Sequence, residues 1–448
     1  MLPLNPLQRK VRYELGLPVL TGAFPLVGHV PAVMSDPPGV VAAGTRQLGK
    51  LFWFEMGFGR HRTLVYAGND AHQLFRSAGV ESSHFWEDLP LFFGRSLLVV
   101  DGAVHRHMRS PMNKPFSPMG LHKAGISRIA RQAIIDRVST WPRQKELTIL
   151  TETQEITLAI IFGIIGIRPE ELSVWRKKFR LYMLSALNVP VDVIGSPTWL
   201  ARRARAWIDE QLRSMIEATR RDPNATGLLA ELVRGRDEEG LALTEQELLD
   251  NVRLLVLAGH ETTASALAWM MLFLAHHPRY WDQLCEEARG LDDVPTSYEQ
   301  LSQCPLARAL FRESVRMYPP VYAESRRVRE PIELDGRTIP PGTRIHISLY
   351  HLARDPAAFD QPDRFDPQRW LKRDHKLTPI ETSQFGGGHH FCLGYHLALL
   401  EGVQLAIAAA RALDDAGLRP ALRSDRMPSP VYVPLTHPPA RTRILLRR

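Results

Sequence analysis

The residues of this sequence that could do chemistry lie mainly at two places, and the first is a cysteine in a glycine-rich loop. Residues 385–394 read FGGGHHFCLG. Three consecutive glycines allow a tight turn with positive φ and a close approach of the backbone to a flat ligand. Cys392 stands just before a predicted helix N-terminus, where the helix dipole and unpaired N–H groups favour a thiolate. A thiolate held by backbone donors is a good soft ligand for iron.

Three other interpretations of this loop stay open on the residues alone. The residue types of a zinc site occur at His389, His390, Cys392 and His396. Against this interpretation, the adjacent histidines should point in different directions and no second cysteine is near in sequence. A cysteine nucleophile would need a separate base and an oxyanion hole, which the glycines do not specify. A lone cysteine can also be a buried structural residue.

The second place is the centre of a long predicted helix. Thr244 and Glu247 form a capping-box start, and apolar residues then recur until Pro278 stops the pattern. The helix would span about 32 residues and roughly 50 Å. Its middle, residues 257–264, reads LAGHETTA, so a glycine and four polar residues interrupt an apolar helix. Buried polar groups are costly unless they are paired, so the pattern indicates a functional site, with a kinked helix as the alternative.

Four motifs, which follow one another along the chain in the family's order, resemble those of the haem-thiolate monooxygenases, the cytochromes P450. The cysteine loop is similar to that family's FxxGxxxCxG pattern at Phe385, Gly388, Cys392 and Gly394. Residues 258–263 (AGHETT) resemble its oxygen-binding helix, 313–316 (ESVR) its ExxR motif, and 367–370 (PQRW) its PERF segment. Each motif alone is weak, but the four together are specific, and the resemblance spans nearly the whole chain.

The resemblance implies a haem b cofactor with Cys392 as the iron ligand. Phe391 and Leu393 would surround the sulfur, and Phe385 would lie against the proximal face of the haem. The other cofactor contacts that it implies are His105, Arg109, Ala258, Gly259, Arg326, Gly386, His390 and Gly394. The cationic members of this set would bind the haem propionates, and Arg327 competes with Arg326 for that role.

The resemblance also implies an activity and the residues that carry it. One atom of dioxygen would be inserted into a C–H or C=C bond, with Gly259 leaving room for dioxygen and with Glu261 and Thr262 relaying protons. Glu313, Arg316 and Arg369 would form a buried structural network beneath the haem. A peroxygenase, a non-oxygenating isomerase or a haem-binding sensor without chemistry are the alternatives.

The substrate contacts implied by the family are mostly apolar. They are Phe92, Phe93, Leu97, Leu98, Leu255, Ala258, Thr263, Val321, Tyr322, Ala323, Val431, Tyr432 and Val433. Such a lining favours a hydrophobic, sparsely functionalised small molecule such as a terpenoid, a steroid, a fatty acid or a polyketide.

Electrons would come from a separate ferredoxin or flavodoxin with its reductase, because the sequence leaves no room for a fused redox domain. Basic residues in segments that the family places on the proximal face could steer such an acidic partner. They are Arg106, Lys114, Lys372, Arg373 and Lys376. We expect no nucleic-acid partner and a monomer.

The elements that must position these residues are predicted from composition and periodicity. The chain has 448 residues, a net charge of +8 and only three cysteines, Cys285, Cys304 and Cys392, which favours a globular protein of a reducing compartment. No signal peptide or transmembrane anchor is expected, so the predicted location is cytoplasmic.

The fold class predicted is mainly α (α+β), with a long central helix and small β-sheets, as in the cytochrome P450 fold. Short strands are expected at 50–57, 62–66, 331–334 and 344–349, mostly helices from 118 to 289, and a helix from about 393 to 415. The tail is predicted to form a hairpin of 431–435 and 442–446. A single domain over 1–448 is expected, with a β-rich part at about 20–100 and the helical, haem-binding part at about 101–448.

Overall fold

The computed structural model describes residues 12–56, 61–82, 90–187, 191–372 and 376–448. Most of the described chain is helical. The α-helices are α1 Val30–Ser35, α2 Pro37–Leu48, α3 Pro90–Phe93, α4 Gly102–Phe116, α5 Pro118–Lys123, α6 Ile126–Val138, α7 Ile149–Ile164, α8 Leu172–Tyr182, α9 Pro197–Arg221, α10 Leu228–Arg234, α11 Glu245–His276, α12 Pro278–Arg289, α13 Tyr298–Leu301, α14 Pro305–Met317, α15 Leu349–Leu352, α16 Gln368–Leu371 and α17 Tyr395–Asp414. The mainly α class and the helical region between residues 118 and 289 are confirmed.

The strands are short, and all except β6 lie before or after the helical region between residues 118 and 289. They are β1 Arg12–Glu14, β2 Leu17–Val19, β3 Leu51–Met56, β4 His61–Tyr66, β5 Val80–Glu81, β6 Glu146–Thr148, β7 Ala323–Val328, β8 Ile332–Leu334, β9 Arg337–Ile339, β10 Arg344–Ser348, β11 Arg419–Ala421 and β12 Arg443–Arg447. Four strands predicted from the sequence, now β3, β4, β8 and β10, are confirmed.

One mixed sheet joins strands from distant parts of the sequence. Its order is β1-β2-β3-β4-β10-β7-β5, and Leu64 of β4 pairs in parallel with Ile345 of β10. Parallel neighbours need a long crossover, and here the crossover contains the whole helical region. The N-terminal β-rich part therefore shares its sheet with strands from residues 323–348.

The long helix α11 is the centre of the fold. Thr244 caps it, and the reciprocal capping box with Glu247 predicted from the sequence is present. The helix runs from Glu245 to His276, and Pro278 begins the next helix after one intervening residue. α11 packs against α7, α14 and α17, and most of its side chains are buried. It therefore crosses the core, as its length predicted.

The prediction of a C-terminal hairpin is wrong. β12 pairs on one side with β11 and on the other with β6, forming a three-stranded sheet. Val431 makes only an isolated bridge with His437. Prolines at 434, 438 and 439 lack the N–H group that a ladder needs. The segment before β12 is therefore a loop, and β12 finds its partners elsewhere in the chain.

The last long helix, α17, follows the cysteine loop directly. Of the described helices it alone is long and apolar enough to span a membrane by length and composition, and 78% of its most apolar window is buried inside the protein. It packs against α6, α12 and α14. The helix therefore belongs to the core and fixes the position of the loop that precedes it.

Candidate active site

Two tight turns place Cys392 just ahead of α17. Single 3-10 turns at Ser383–Phe385 and Gly388–His390 fold the loop, and the Cys392 amide donates to the Phe385 carbonyl at 2.9 Å. Burial raises the pKa of Cys392, while a backbone hydrogen bond from Gly394 and the charge of Arg109 lower it. The charge of Glu324 also raises this pKa, so the surrounding protein disfavours the thiolate, whereas coordination to a metal ion would favour it.

Gly388 shows why the loop needs glycine. Its φ is +61°, and a Cβ at this position would lie 1.8 Å from the backbone oxygen of Phe75. A positive φ disfavours other residues, and backbone cannot move aside as a side chain can. The glycine run therefore lets the cysteine loop lie directly on the short 3-10 helix that contains Phe75.

Aromatic rings pack beneath the loop. The Phe385 ring meets Tyr395 edge to face at 4.8 Å, and Phe391 lies 5.4 Å from the same ring. Phe385 and Leu393 are partly buried against the main core. These contacts fix the rings beneath the loop, and the predicted packing of Phe391 and Leu393 around the sulfur and of Phe385 against the haem stays a prediction.

Two of the predicted cationic residues lie one turn apart on α4. His105 is buried, its Nε2 has no hydrogen-bond partner among the described residues, and its ring centroid is 4.2 Å from that of His390. Burial, with the charges of His390 and Arg109, lowers the pKa of His105 to about 3. Burial also lowers the pKa of Arg109, partly offset by the charge of Cys392. His105 is therefore neutral, and Arg109 lies within electrostatic reach of the cysteine.

His390 has a partner that the sequence did not reveal. Its Nε2 lies 2.9 Å from Oδ1 of Asp101, the N-cap residue of α4. The pair joins the cysteine loop to the start of α4. A histidine held by a carboxylate is less available to an anionic ligand, which agrees with the weaker contact expected at this position.

The structure separates Arg326 from Arg327. The side chain of Arg326 is buried, lies 2.9 Å from a carboxylate oxygen of Glu324 and covers the Phe75 ring. Arg327 points to the other face of β7 and pairs with Glu81. Because neighbouring strand residues face opposite ways, only Arg326 lies on the side of the cysteine loop.

The middle of α11 presents an accessible face inside a buried helix. Ala258 is exposed, and Gly259 and Thr262 are partly exposed, although the helix on both sides is buried. Ala258 and Thr262 share one face because they are four residues apart. The Thr262 hydroxyl donates to the Ala258 carbonyl at 2.6 Å. The helix therefore borders an open cleft at the position of the predicted oxygen-binding motif.

Glu261 is held on a neighbouring face of the same helix. It accepts a hydrogen bond from Gln154 of α7 at 3.0 Å and lies 3.3 Å from Nε2 of His260. Burial raises the pKa of Glu261, but the bonds from His260 and Gln154 and the charge of His437 outweigh it, so the pKa is lowered. Glu261 is therefore ionised and turned toward α7.

The predicted structural network is fully assembled. Glu313 and Arg316 on α14 are fully buried and form a two-point ion pair, at 2.9 and 2.8 Å. Glu313 also accepts from Nε of Arg369 at 3.1 Å and from the Trp370 indole at 2.8 Å. Trp370 is thus a fourth member that the motif did not identify.

The predicted substrate residues form two groups. In the first, Phe92 and Phe93 stack edge to face and Phe92 also stacks on Tyr182. This segment and the turn that contains Leu97 pack on α11, to which Leu255 belongs. The second group comprises Val321, Tyr322 and Ala323 at the start of β7, with Val431, Tyr432 and Val433 of the C-terminal loop. Tyr322 and Tyr432 meet edge to face at 6.1 Å. Val431 is exposed, Leu98 is partly exposed, and Thr263 is buried.

Polar bonds hold the first group onto α11. The Arg95 amide donates to Asp250 at 3.0 Å and the Leu97 amide to Asn251 at 2.8 Å. Arg253, which is fully buried, pairs with Asp250. These residues near the N-terminal end of α11 gave no signal in the sequence analysis beyond being polar residues in an otherwise apolar helix.

The zinc interpretation finds no support in the geometry. No group of three or more His, Cys, Asp or Glu side chains lies close enough to hold a metal ion in the part of the chain that the structure describes. His389 is exposed, and His396 instead packs edge to face on Tyr395 and Tyr298. Cys392 therefore stands without the protein ligands that zinc would need.

Comparison with known proteins decides the family. The family model for cytochrome P450 matches residues 18–409. The chain is 40% identical over 441 residues, 98% of both sequences, to cytochrome P450 BJ-4 of Bradyrhizobium diazoefficiens and likewise to its homologue in Sinorhizobium fredii. This chain belongs to the cytochrome P450 family. The solved structure of the retinoic acid-bound cyanobacterial CYP120A1 is similar to it in fold, with a TM-score of 0.80, 22% identity and coverage of 95% and 97% of the two chains.

Haem b is the cofactor of the cytochromes P450, and the residues of this chain fit it. Nε2 of His105 is buried and has no hydrogen-bond partner among the described residues, as expected of a donor whose acceptor belongs to a bound cofactor. Ala258 exposes its side chain in the middle of the core helix. Cys392 supplies a soft thiolate ligand. An anionic, planar iron complex would satisfy all three features.

Proposed function

We propose that this cytochrome P450 is a haem-thiolate monooxygenase that inserts one atom of dioxygen into a C–H or C=C bond of a hydrophobic small molecule. The observation that carries the proposal is the placement of Cys392 on a glycine loop ahead of α17, together with an accessible Ala258–Thr262 face on the buried helix α11. When bound through a cysteine thiolate, haem iron supplies the oxygen activation. The chain's residues supply ligation, orientation and protons.

We propose that Cys392 ligates the iron and that His105, Arg109 and Arg326 hold the propionates. The three side chains donate N–H groups from α4 and β7. His105 does so as a neutral donor, and the two arginines do so as desolvated cations, which bind carboxylates strongly. His390 contributes less because Asp101 already accepts from it. The chain works as one haem domain, since β7 and β10 share a sheet with the N-terminal strands.

Thr262 and Glu261 handle protons in this proposal. The Thr262 hydroxyl now donates to the Ala258 carbonyl, so its lone pairs face the cleft as acceptors. To donate a proton into the cleft, the hydroxyl must rotate and draw a replacement proton from its neighbour. Glu261 is that neighbour in sequence. The presence of Glu261 argues for oxygen cleavage and against a peroxygenase or isomerase, because those enzymes have less need of a proton relay.

The substrate proposed is apolar with few functional groups. Hydrocarbon surface on and beside α11 would come from Phe92, Phe93, Leu98 and Leu255. Hydroxyl groups would come from Tyr322, just before β7, and from Tyr432 of the C-terminal loop. Burial of such surface yields about 25 cal/mol per Å². A terpenoid, steroid, fatty acid or polyketide would satisfy this lining.

The proposed electron donor is a separate acidic ferredoxin or flavodoxin. Arg106, Lys114, Lys372 and Lys376 are all exposed, and Arg373 lies outside the described residues. A basic patch accelerates encounter with an acidic partner, and salt screens this attraction. We expect the rate of reduction by a ferredoxin to fall as salt rises, and a Lys114→Glu variant to lose part of that salt dependence. A cytoplasmic location and a monomeric state stay predictions.

The first test is the absorption spectrum of the reduced protein under carbon monoxide. We expect the strongly red-shifted Soret band of a thiolate-ligated haem. Cys392→Ala should lose that band, while Cys304→Ala, a buried cysteine on another element, should keep it. A colourless protein from haem-replete cells, or a thiolate-type band in Cys392→Ala, would refute the proposal. Turnover with peroxide alone and none with a reductase would favour a peroxygenase.

A further inference from the structure

His260 lies on the opposite side of α11 from the cleft. At 100° per residue it points about 160–200° away from Ala258 and Thr262. The side chain is buried, with Thr157 of α7 at 3.0 Å from its Nδ1 and Glu261 at 3.3 Å from its Nε2. His260 therefore cannot touch a molecule in the cleft and can act on it only through Glu261.

The hydrogen bonds of Thr157 determine where the proton of this pair lies. The single hydroxyl proton can go to Nδ1 of His260 or to a carbonyl of its own helix, that of Thr153 at 3.0 Å or Gln154 at 3.3 Å. In the first case the neutral ring carries its proton on Nε2. In the second case Nδ1 donates to the Thr157 oxygen. Because Nε2 then faces a carboxylate oxygen of Glu261, a second proton must lie between these two atoms. Both arrangements place one proton between Nε2 and Glu261.

The remaining neighbours of Glu261 favour its ionised form. Gln154 donates from α7 without being titratable, and His437 contributes positive charge from the C-terminal loop. The Ser265 hydroxyl bonds to the carbonyl of Thr436 and so fixes that loop against α11. The carboxylate is thus held by α7, by its own helix and by the C-terminal loop.

We propose that His260 is a positioning residue for proton delivery, which orients the Glu261 carboxylate toward α7 and shares with it the proton that Glu261 passes to Thr262. From the ring with both nitrogens protonated, Nε2 gives its proton to the carboxylate and the ring becomes neutral. Glu261 then passes the proton to the Thr262 oxygen as the hydroxyl releases its own proton into the cleft, and water returns a proton to Nε2. The inference rests on the proposed roles of Glu261 and Thr262.

The test separates hydrogen bonding from titration with two variants. His260→Gln keeps an N–H donor near the position of Nε2 but has no titratable proton, and His260→Phe removes both. His276→Gln, on the last turn of the same helix, is the matched control. The first readout is the infrared carboxylate band of Glu261 between pH 3 and 9, with Glu261→Gln as the blank. It needs no substrate and no turnover.

We expect His260→Phe to raise the pKa of Glu261 by about 1–3 units, the usual influence of a neighbouring cation, and His260→Gln to raise it less. His276→Gln should leave it unchanged. The second readout is the fraction of consumed dioxygen released as peroxide with a surrogate ferredoxin and reductase. His260→Phe should increase this fraction, and both variants should alter its pH profile, whereas a merely structural change would not.

An unchanged pKa of Glu261 in His260→Phe would overturn the inference. A shifted pKa with an unchanged peroxide fraction and pH profile would instead overturn the proton role of Glu261, and with it that part of the proposed function. If His260→Phe fails to fold, Thr157→Val serves in its place, because it frees Nδ1 without touching Glu261. We expect it to shift the same pKa in the same direction, and no shift would overturn the inference.

Discussion

Replacing Arg316 by methionine should unfold the protein at a lower temperature, and the structure gives the size of the effect. The guanidinium holds Glu313 at two points and also donates to the carbonyls of Ala353, Pro362 and Arg364. Methionine has a similar length but donates nothing. The change therefore leaves a buried carboxylate short of a partner and the carbonyls of Ala353 and Pro362 without this donor, while the Arg364 carbonyl keeps a bond from Arg369.

The magnitude follows from these losses. Removing one member of a buried ion pair costs about 3–5 kcal/mol, and each lost hydrogen bond adds about 1 kcal/mol. Arg369 and Trp370 still bind Glu313, which limits the total to about 5 kcal/mol. At about 2.1 cal/mol/K per residue the unfolding entropy of this chain is about 0.9 kcal/mol/K, so the midpoint should fall by about 5 °C.

The assay is thermal unfolding followed by circular dichroism, with the exposed pair of Arg221 and Glu217 as the control. Those side chains lie 3.0 Å apart on α9 and are 77% and 58% exposed. Such pairs contribute about 0.3–0.5 kcal/mol, so Arg221→Met should shift the midpoint by less than 1 °C. Equal midpoints for Arg316→Met and the control would refute the argument that the network bears on stability.

Three further predictions concern the loop, the core and the cleft. Gly388→Ala should reduce the haem content, measured as the ratio of Soret to protein absorbance, because its Cβ would collide with the Phe75 backbone. Burial raises the pKa of Glu401 to about 8, so the folded protein holds a proton that the unfolded chain releases above about pH 4.5, and stability falls as pH rises from there to about 8. Glu401→Gln should remove this dependence, so that its unfolding midpoint exceeds that of the wild type by more at pH 8 than at pH 5. Asp250→Asn should speed hydrogen exchange at the Arg95 amide about ten- to hundredfold, since a bond to a charged acceptor contributes about 1.5–3 kcal/mol.

The long helix shows what the sequence could predict. Its capping box, its apolar pattern and Pro278 are local signals, and the predicted ends lie within one residue of Glu245 and His276. The strands β3, β4, β8 and β10 were predicted equally well because their patterns are also local. The C-terminal hairpin failed because strand pairing depends on distant partners, here Glu146–Thr148 and Arg419–Ala421, that no local pattern specifies.

The candidate site likewise contains residues that the sequence predicted and partners that it did not. Cys392, Thr262, Glu313 and Arg316 stand in short motifs, so the resemblance to the family's motifs was enough to predict their roles. The partners that hold them are far away in sequence: Gln154 is 107 residues from Glu261. Asp101 is similarly 289 residues from His390. Such pairs leave no spacing signal in one sequence, and only the fold brings them together.

The polar residues of α11 have two separate tasks, which explains their cost in an apolar helix. Asp250, Asn251 and Arg253 lie near its start and tie down other elements: Arg253 also pairs with Asp209 of α9, and Asp250 accepts from the 90–97 segment. His260 and Glu261 lie mid-helix and face α7. The first group ties the 90–97 segment and α9 to the helix, and we propose that the second sets the protons of the cleft. Because about 10–17 Å of helix separate them, changes in the first group should alter substrate entry while leaving the pKa of Glu261 unchanged.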